Sequence, residues 1–150
     1  MFKHILIPTD GSKLANESAR AAVRLAASVG ARVTGFFAAP PSTPIIFKAM
    51  LPVGYATPRK HEQMTLRAAK SYLEEIEKAA RAAGVRCETA HVTSDFAADA
   101  ICAEAKKRRC DLIFMASHGR HGVRRSSLLG SETQKVLSQA EVPVLVYRKA

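Results

Sequence analysis

Strand-like segments alternate with helix-like segments along the whole 150-residue chain. Five short apolar runs predict strands, at His4–Pro8, Arg32–Ala39, Val85–Val92, Asp111–Ala116 and Val142–Tyr147. Four longer stretches with helical periodicity predict helices, at Ser12–Val29, Pro58–Ala83, Asp95–Arg109 and Ser131–Ala140. This alternation predicts one α/β domain over residues 1–150, a doubly wound, Rossmann-like parallel sheet with helices on both faces. Right-handed crossovers then limit the strand order to 3-2-1-4-5.

In that strand order the chain reverses direction across the sheet between the first and fourth strands. Ligands of such sheets bind at the reversal, beside the carboxyl ends of the strands. A turn, Pro8-Thr9-Asp10-Gly11-Ser12, follows the first strand, and a glycine-containing loop follows the fourth. These two segments are therefore predicted to meet in space and to form a binding crevice, although they lie far apart in the sequence.

The loop after the fourth strand, within Phe114–Ser131, reads F-M-A-S-H-G-R-H-G-V-R-R-S-S-L-L-G-S. Glycines let a backbone approach an anion closely, and the first amides of a helix donate hydrogen bonds and carry a partial positive charge. A loop of this kind between a buried strand and a helix is a candidate phosphate site, and the alternative is a plain turn.

The net charge of +10 raises the possibility of nucleic-acid binding. The basic residues are spread along the chain, however, and it has no Trp and only three Tyr to stack on bases. Lys106–Arg109 falls at a predicted helix end, where cations offset the helix dipole. Nucleic acid is therefore not the expected partner, and Arg120, Arg124 and Arg125 in the glycine loop suit a small polyanion better.

The remaining composition favours a cytoplasmic protein. No apolar run approaches the roughly 20 residues of a membrane span, and no small-residue cleavage site follows the first apolar run. The three cysteines, Cys87, Cys102 and Cys110, have no CxxC spacing, which is typical of reduced thiols. We expect no membrane partner and no protein-built metal site.

Four motifs resemble the universal stress protein family. They are I-L-I-P-T-D-G-S near the start, M-A-S-H-G-R-H-G after the fourth strand, L-L-G-S-E-T-Q-K-V-L, and P-V-L-V near the close. The resemblance spans the whole chain and implies a cytoplasmic, homodimeric stress-response protein. The family includes members that bind ATP and members that bind no nucleotide.

The nucleotide-binding members carry G-x2-G-x9-G-[ST], and this chain departs from that pattern twice. Ala116 stands at the first glycine, and ten residues instead of nine separate Gly119 from Gly130. A literal G-x2-G, formed by Gly119 and Gly122, leaves only seven residues before Gly130. The first alignment fits the strand end better, and it keeps both an ATP-binding and a non-binding reading open.

The resemblance and the crevice together give the candidate site residues. They are Pro8, Thr9, Asp10, Ala38, Ala116, Ser117, His118, Gly119, Arg120, Gly122, Gly130, Ser131 and Glu132. By resemblance, Asp10 meets the nucleoside, and Ala38 meets the adenine edge through its backbone. The resemblance also implies that the backbone amides of Gly119, Gly130 and Ser131, with the Ser131 hydroxyl, meet phosphate. Simpler roles stay open: Asp10 or Ser12 as a cap of the first helix, and Ser131 as the N-cap of the last. Asp95 is a candidate cap for the third helix.

The expected function is that of an ATP-binding regulator or interaction module, with Mg²⁺ held mainly by phosphate oxygens. The alternatives are a dimeric module that binds no nucleotide, and a slow ATPase or self-phosphorylating protein. His118 has no evident catalytic partner, and the chain has no Walker lysine motif, so fast turnover is not expected. The apolar last strand predicts a homodimer through the sheet edge. The segment from Pro40 to Pro58 is expected to cover the crevice.

Overall fold

The computed structural model describes residues 1–41, 58–119 and 129–149. Its strands are β1 (His4–Pro8), β2 (Arg32–Ala39), β3 (Cys87–Thr93), β4 (Leu112–Ala116) and β5 (Val144–Tyr147). Its helices are α1 (Lys13–Val29), α2 (Pro58–Ala82), α3 (Ala97–Lys107) and α4 (Ser131–Gln139). The expected lid segment after Pro40 lies outside the described residues, except for its ends.

The five strands form one parallel sheet in the order β3-β2-β1-β4-β5, which confirms the predicted topology. Successive residues of a strand face opposite sides of a sheet. Ile5 and Ile7 of β1 accordingly pack with α1 and α2, whereas Leu6 packs with α3 and α4. The apolar core therefore has two halves, one on each face, and the central strands β1 and β4 are buried along their whole length.

The cap of α1 forms as the sequence predicts. Ser12 is the N-cap residue, and its hydroxyl accepts a hydrogen bond from the Ala15 amide at 3.1 Å. Gly30 ends the helix with φ of +73°, a left-handed conformation that glycine adopts without strain. The turn before α1 and the return to β2 are both fixed by these local interactions.

The predicted start of α3 was wrong. The helix begins at Ala97 with Phe96 at the N-cap position, and Asp95 does not cap it. The Ser94 hydroxyl instead accepts from the Phe96 amide, and the carboxylate of Glu132 accepts from the Ala98 amide at 3.0 Å. A side chain from another helix thus replaces the local cap, which local sequence could not reveal.

Other element ends move by one to two residues. The third strand begins at Cys87, α2 ends at Ala82, and β5 begins at Val144. Asp111 precedes β4, where its carboxylate accepts hydrogen bonds from the Lys3 and His4 amides. Burial alone would raise the pKa of Asp111, but these hydrogen bonds outweigh it and lower the pKa.

His4 is a buried polar residue at the amino end of β1. Its Nε2 lies 2.7 Å from the Thr34 hydroxyl, and the side chain is 4% exposed. Burial, followed by the charge of Arg32, lowers the pKa of His4 below its ordinary 6.5. This histidine lies at the opposite end of the sheet from the predicted crevice and is not part of that crevice.

Candidate functional site

A cavity of about 230 Å³ opens at the carboxyl ends of β1 and β4. Ten of the predicted site residues line it: Pro8, Thr9, Asp10, Ala38, Ala116, His118, Gly119, Gly130, Ser131 and Glu132. Ser117 is not among the lining residues, and Arg120 and Gly122 lie outside the described residues. The structure thus brings together two segments that the sequence separates by about a hundred residues.

The turn after β1 is built from its own polar groups. The Thr9 hydroxyl accepts from the Gly11 amide at 3.1 Å, and Asp10 Oδ1 accepts from the Ser12 amide at 2.9 Å. The second hydrogen bond confirms the structural role considered for Asp10, whose side chain closes its own turn. The carboxylate also lines the cavity.

Gly11 is required at this turn for two reasons. Its φ is +78°, and a Cβ atom there would lie 2.3 to 2.5 Å from the ring of Tyr72 on α2. That ring packs edge-on against Phe37, with 5.2 Å between ring centroids. The turn that carries Asp10 therefore packs against the Tyr72 ring of this aromatic pair.

The loop after β4 approaches the same turn closely. A Cβ atom on Gly119 would lie 2.3 Å from Asp10 Oδ2. The lack of a side chain at Gly119 is what allows the loop and this carboxylate to come together. Asp10 therefore links the two segments that form the cavity.

Gly130 is tied to the end of β4 by its backbone. Its amide donates to the Ser117 carbonyl at 2.8 Å, and a Cβ atom there would lie 3.0 Å from His118 Cα. Its φ is −60°, which any residue adopts, so the restriction is space and not backbone angle. Glycine at this position permits close packing of two backbone segments.

The predicted N-cap of α4 was wrong by one residue. Gly130 is the N-cap, and Ser131 is the first residue of the helix. No side chain caps this end, because glycine has none to offer, and both residues line the cavity. A helix start without a side-chain acceptor leaves its first amides for other acceptors, which is the property an anion site needs.

Ala116, which stands at the family's first glycine, is the last residue of β4. Its φ is not positive, and the Thr133 hydroxyl donates to its carbonyl at 3.0 Å. The methyl group is compatible with this backbone, so the departure from the family pattern distorts neither β4 nor the start of α4.

The inner wall of the cavity is apolar. Its remaining lining residues are Ala15, Phe36, Ala97, Ile101, Met115 and Thr133, which the sequence did not identify as site residues. Phe36, Ile101 and Met115 also belong to the buried core, and an apolar residue in a strand or helix gives the same sequence signal in both roles. Only the three-dimensional arrangement separates a cavity wall from ordinary core.

The described part of the wall carries two carboxylates and one imidazole. Asp10 and Glu132 supply the carboxylates, and His118 Nδ1 lies 3.2 Å from the Ser117 hydroxyl. No Lys or Arg is found among the described lining residues. The described residues also contain no group of three His, Cys, Asp or Glu side chains placed to hold a metal ion.

All three cysteines lie away from this cavity. Burial, the largest effect, raises the pKa of Cys87 and of Cys110 to about 11, and it also raises the pKa of Cys102. Cys102 and Cys110 line a second cavity of about 370 Å³, which Val142 borders near the start of β5. Protonated thiols are poor nucleophiles, so the cysteines offer no reactive centre near the crevice.

Fold and site together define a class: a doubly wound α/β protein with a crevice at its strand reversal, apolar inside and bordered by an uncapped helix start. The universal stress protein family profile matches residues 1–148. A universal stress protein of Methanocaldococcus jannaschii is 31% identical and covers 99% of this chain and 84% of its own length. One of Thermus aquaticus is 35% identical over 99% of this chain and 100% of its own length. The chain belongs to the universal stress protein family.

Solved structures of this family share the fold. A universal stress protein in complex with cAMP has a TM-score of 0.71 and 21% identity, with 99% of each chain covered. A family protein of Arabidopsis thaliana with AMP bound has a TM-score of 0.66 and 18% identity, covering 99% of this chain and 92% of its own. In the described part of the present chain, no helix is long and apolar enough to cross a membrane.

Proposed function

We propose that this protein binds an adenine nucleotide, ATP together with Mg²⁺, in the crevice between β1 and β4. Binding makes it a nucleotide-dependent regulator or interaction module of a cytoplasmic stress response, and it acts as a homodimer. The observation that carries the proposal is the meeting of the Asp10 turn and the start of α4 around one cavity. Two relatives of the same fold hold AMP and cAMP, which supports an adenine nucleotide as the ligand class.

The residues of the crevice fit the parts of such a ligand. The apolar inner wall, with Phe36, Ile101 and Met115, suits the face of a purine ring. The Asp10 carboxylate can accept hydrogen bonds from ribose hydroxyls or an exocyclic amine. The uncapped amide of Ser131, at the start of α4, suits phosphate oxygens, whereas the Gly130 amide already donates to the Ser117 carbonyl.

The size of the cavity supports one arrangement of the proposed ligand. About 230 Å³ is below the roughly 300–1,000 Å³ of typical small-molecule sites. We therefore place the base and ribose inside and the phosphates at the mouth, beside α4. Mg²⁺ would be held mostly by phosphate oxygens and would offset their charge.

A module that binds no nucleotide is the second candidate, and Ala116 is the observation that favours it. The non-binding members of the family lack the glycine pattern, and this chain lacks its first glycine. Ala116→Gly restores the first glycine and leaves the ten-residue spacing before Gly130 unchanged, so it tests what the methyl group does to affinity. Tighter binding in that variant would show that the methyl group reduces affinity, and equal binding would show that the loop tolerates it.

Isothermal titration calorimetry with ATP and Mg²⁺ tests the proposal. We expect wild type to bind, and Asp10→Ala to bind at least about fivefold more weakly, because a hydrogen bond to a charged group is lost. Asp95→Ala is the matched control, since Asp95 is exposed and lies outside the cavity. If neither wild type nor Ala116→Gly binds at millimolar ATP, the nucleotide proposal is wrong and the interaction module replaces it.

A further inference from the structure

Glu132 joins the starts of two helices at the cavity. It lies in the first turn of α4, and its Oε2 accepts a hydrogen bond from the Ala98 amide in the first turn of α3 at 3.0 Å. Phe96, the N-cap of α3, offers no side-chain acceptor. The Glu132 carboxylate therefore serves as the anionic cap of α3 while it lines the cavity.

This carboxylate stands where the proposed ligand would carry its negative charge. Ser131, whose amide suits phosphate, immediately precedes it in the chain. The only formally charged side chains in the described part of the wall are Asp10 and Glu132, both negative. Lys135 contacts Glu132 Oε1 at 3.4 Å, but this lysine is exposed and lies outside the cavity wall. Solvent screens this ion pair, so Lys135 neutralises only part of the negative charge of Glu132.

We propose that Glu132 determines how much negative charge the site accepts. It disfavours metal-free triphosphate, makes ATP binding depend on Mg²⁺, and leaves adenosine and AMP largely indifferent to the metal. This inference rests on the proposed function, because it assigns a selectivity to the same crevice.

The physical reason is repulsion that grows with the number of phosphates. Each added phosphate brings charge toward the mouth, where the carboxylate reduces the favourable field of the α4 amides. Adenosine carries no phosphate and has no such penalty. A divalent cation on the phosphates removes most of the repulsion, since it neutralises the charge that Glu132 opposes.

Glu132→Gln is the variant that tests this role. Glutamine keeps an oxygen that can accept from the Ala98 amide, so the cap of α3 is retained while the charge is removed. Glu141→Gln removes the same charge at an exposed position beside the second cavity and serves as the matched control. Dissociation constants are measured by calorimetry for adenosine, AMP and ATP, each with EDTA and with Mg²⁺.

In wild type we expect ATP to bind at least about tenfold more tightly with Mg²⁺ than with EDTA, and AMP to change by less than about twofold. Glu132→Gln should strengthen ATP binding in EDTA by about fivefold and adenosine binding hardly at all. Glu141→Gln should leave every constant unchanged.

The outcomes separate this inference from the function on which it rests. If none of the three ligands binds wild type at millimolar concentration, the proposed nucleotide site is wrong. If they bind but Glu132→Gln changes adenosine and metal-free ATP equally, or changes neither, the site stands and the role of Glu132 is refuted. If Glu141→Gln strengthens metal-free ATP binding as much as Glu132→Gln does, the net charge of the protein is responsible and not the position of Glu132.

Discussion

Replacing Gly11 with alanine tests whether the aromatic pair behind the turn matters to the fold. Gly11 and Gly30 share nearly the same backbone conformation, with φ of +78° and +73°. A Cβ atom at Gly11 would collide with the Tyr72 ring, whereas one at Gly30 meets nothing within 4 Å. The two alanine variants therefore carry similar backbone strain, and only one adds a steric clash.

The magnitudes follow from those two contributions. A left-handed alanine costs roughly 1–2 kcal/mol relative to glycine, and this is the whole expected loss in Gly30→Ala. In Gly11→Ala the Tyr72 ring must also move, and the edge-on contact with Phe37 is worth about 0.5–1.5 kcal/mol. Because the ring is half-buried, we expect its displacement to add about that contact energy. We expect total losses of about 1.5 and about 2.5 kcal/mol for Gly30→Ala and Gly11→Ala.

Urea unfolding followed by circular dichroism measures both losses. With a slope of about 2 kcal/mol/M, the midpoints should fall by about 0.7 M for Gly30→Ala and about 1.2 M for Gly11→Ala. In a Tyr72→Ala background the clash is absent, so the two substitutions should then cost the same. Equal losses in the wild-type background would refute the claim that the ring constrains the turn.

Three further predictions concern the crevice loop, pH and assembly. Gly119→Ala should weaken ATP binding by about tenfold at nearly constant stability, because its Cβ atom would displace the Asp10 carboxylate; calorimetry and urea unfolding check this. The native pKa of His4 is lowered, so the unfolded chain binds more protons, and the free energy of unfolding should fall as pH drops below about 6.5. His4→Gln should flatten that fall between pH 7.5 and 5.5, and an unchanged slope would exclude His4 as its source. The third prediction is a dimer formed through the edge strand β5, and light scattering should show this dimer for wild type. Leu145 lies on a half-exposed face of β5, so Leu145→Lys should shift the protein toward monomer. A monomeric wild type would contradict the predicted dimer.

The sequence predicted the central part of the fold well because its signals there are local or periodic. The buried runs of β1 and β2 have the predicted bounds, and Ser12 and Gly30 act as the predicted cap and stop. The sequence failed at the start of α3, where the capping carboxylate comes from Glu132, more than thirty residues away. An interaction of that kind leaves no local pattern.

The crevice was predictable in its polar parts and not in its apolar parts. Turn residues and glycines after buried strands mark a binding edge, so Asp10 and Gly119 could be found from the sequence. Phe36 and Met115 could not, because a cavity wall and a packed core select the same residue types. Tyr72 was missed for a related reason: its contact with Gly11 depends on how α2 packs against the β1 turn.

Chemical-shift mapping with AMP tests the central claim most directly, since it locates the ligand on the folded chain. We expect ¹⁵N-labelled protein titrated with AMP to show its largest backbone amide shifts at Thr9, Gly130 and Ser131 around the crevice. Amides beside the second cavity, at Cys102 and Val142, should stay unchanged and act as an internal control. The absence of shifts at millimolar AMP, or shifts confined to the second cavity, would contradict a nucleotide site between β1 and β4.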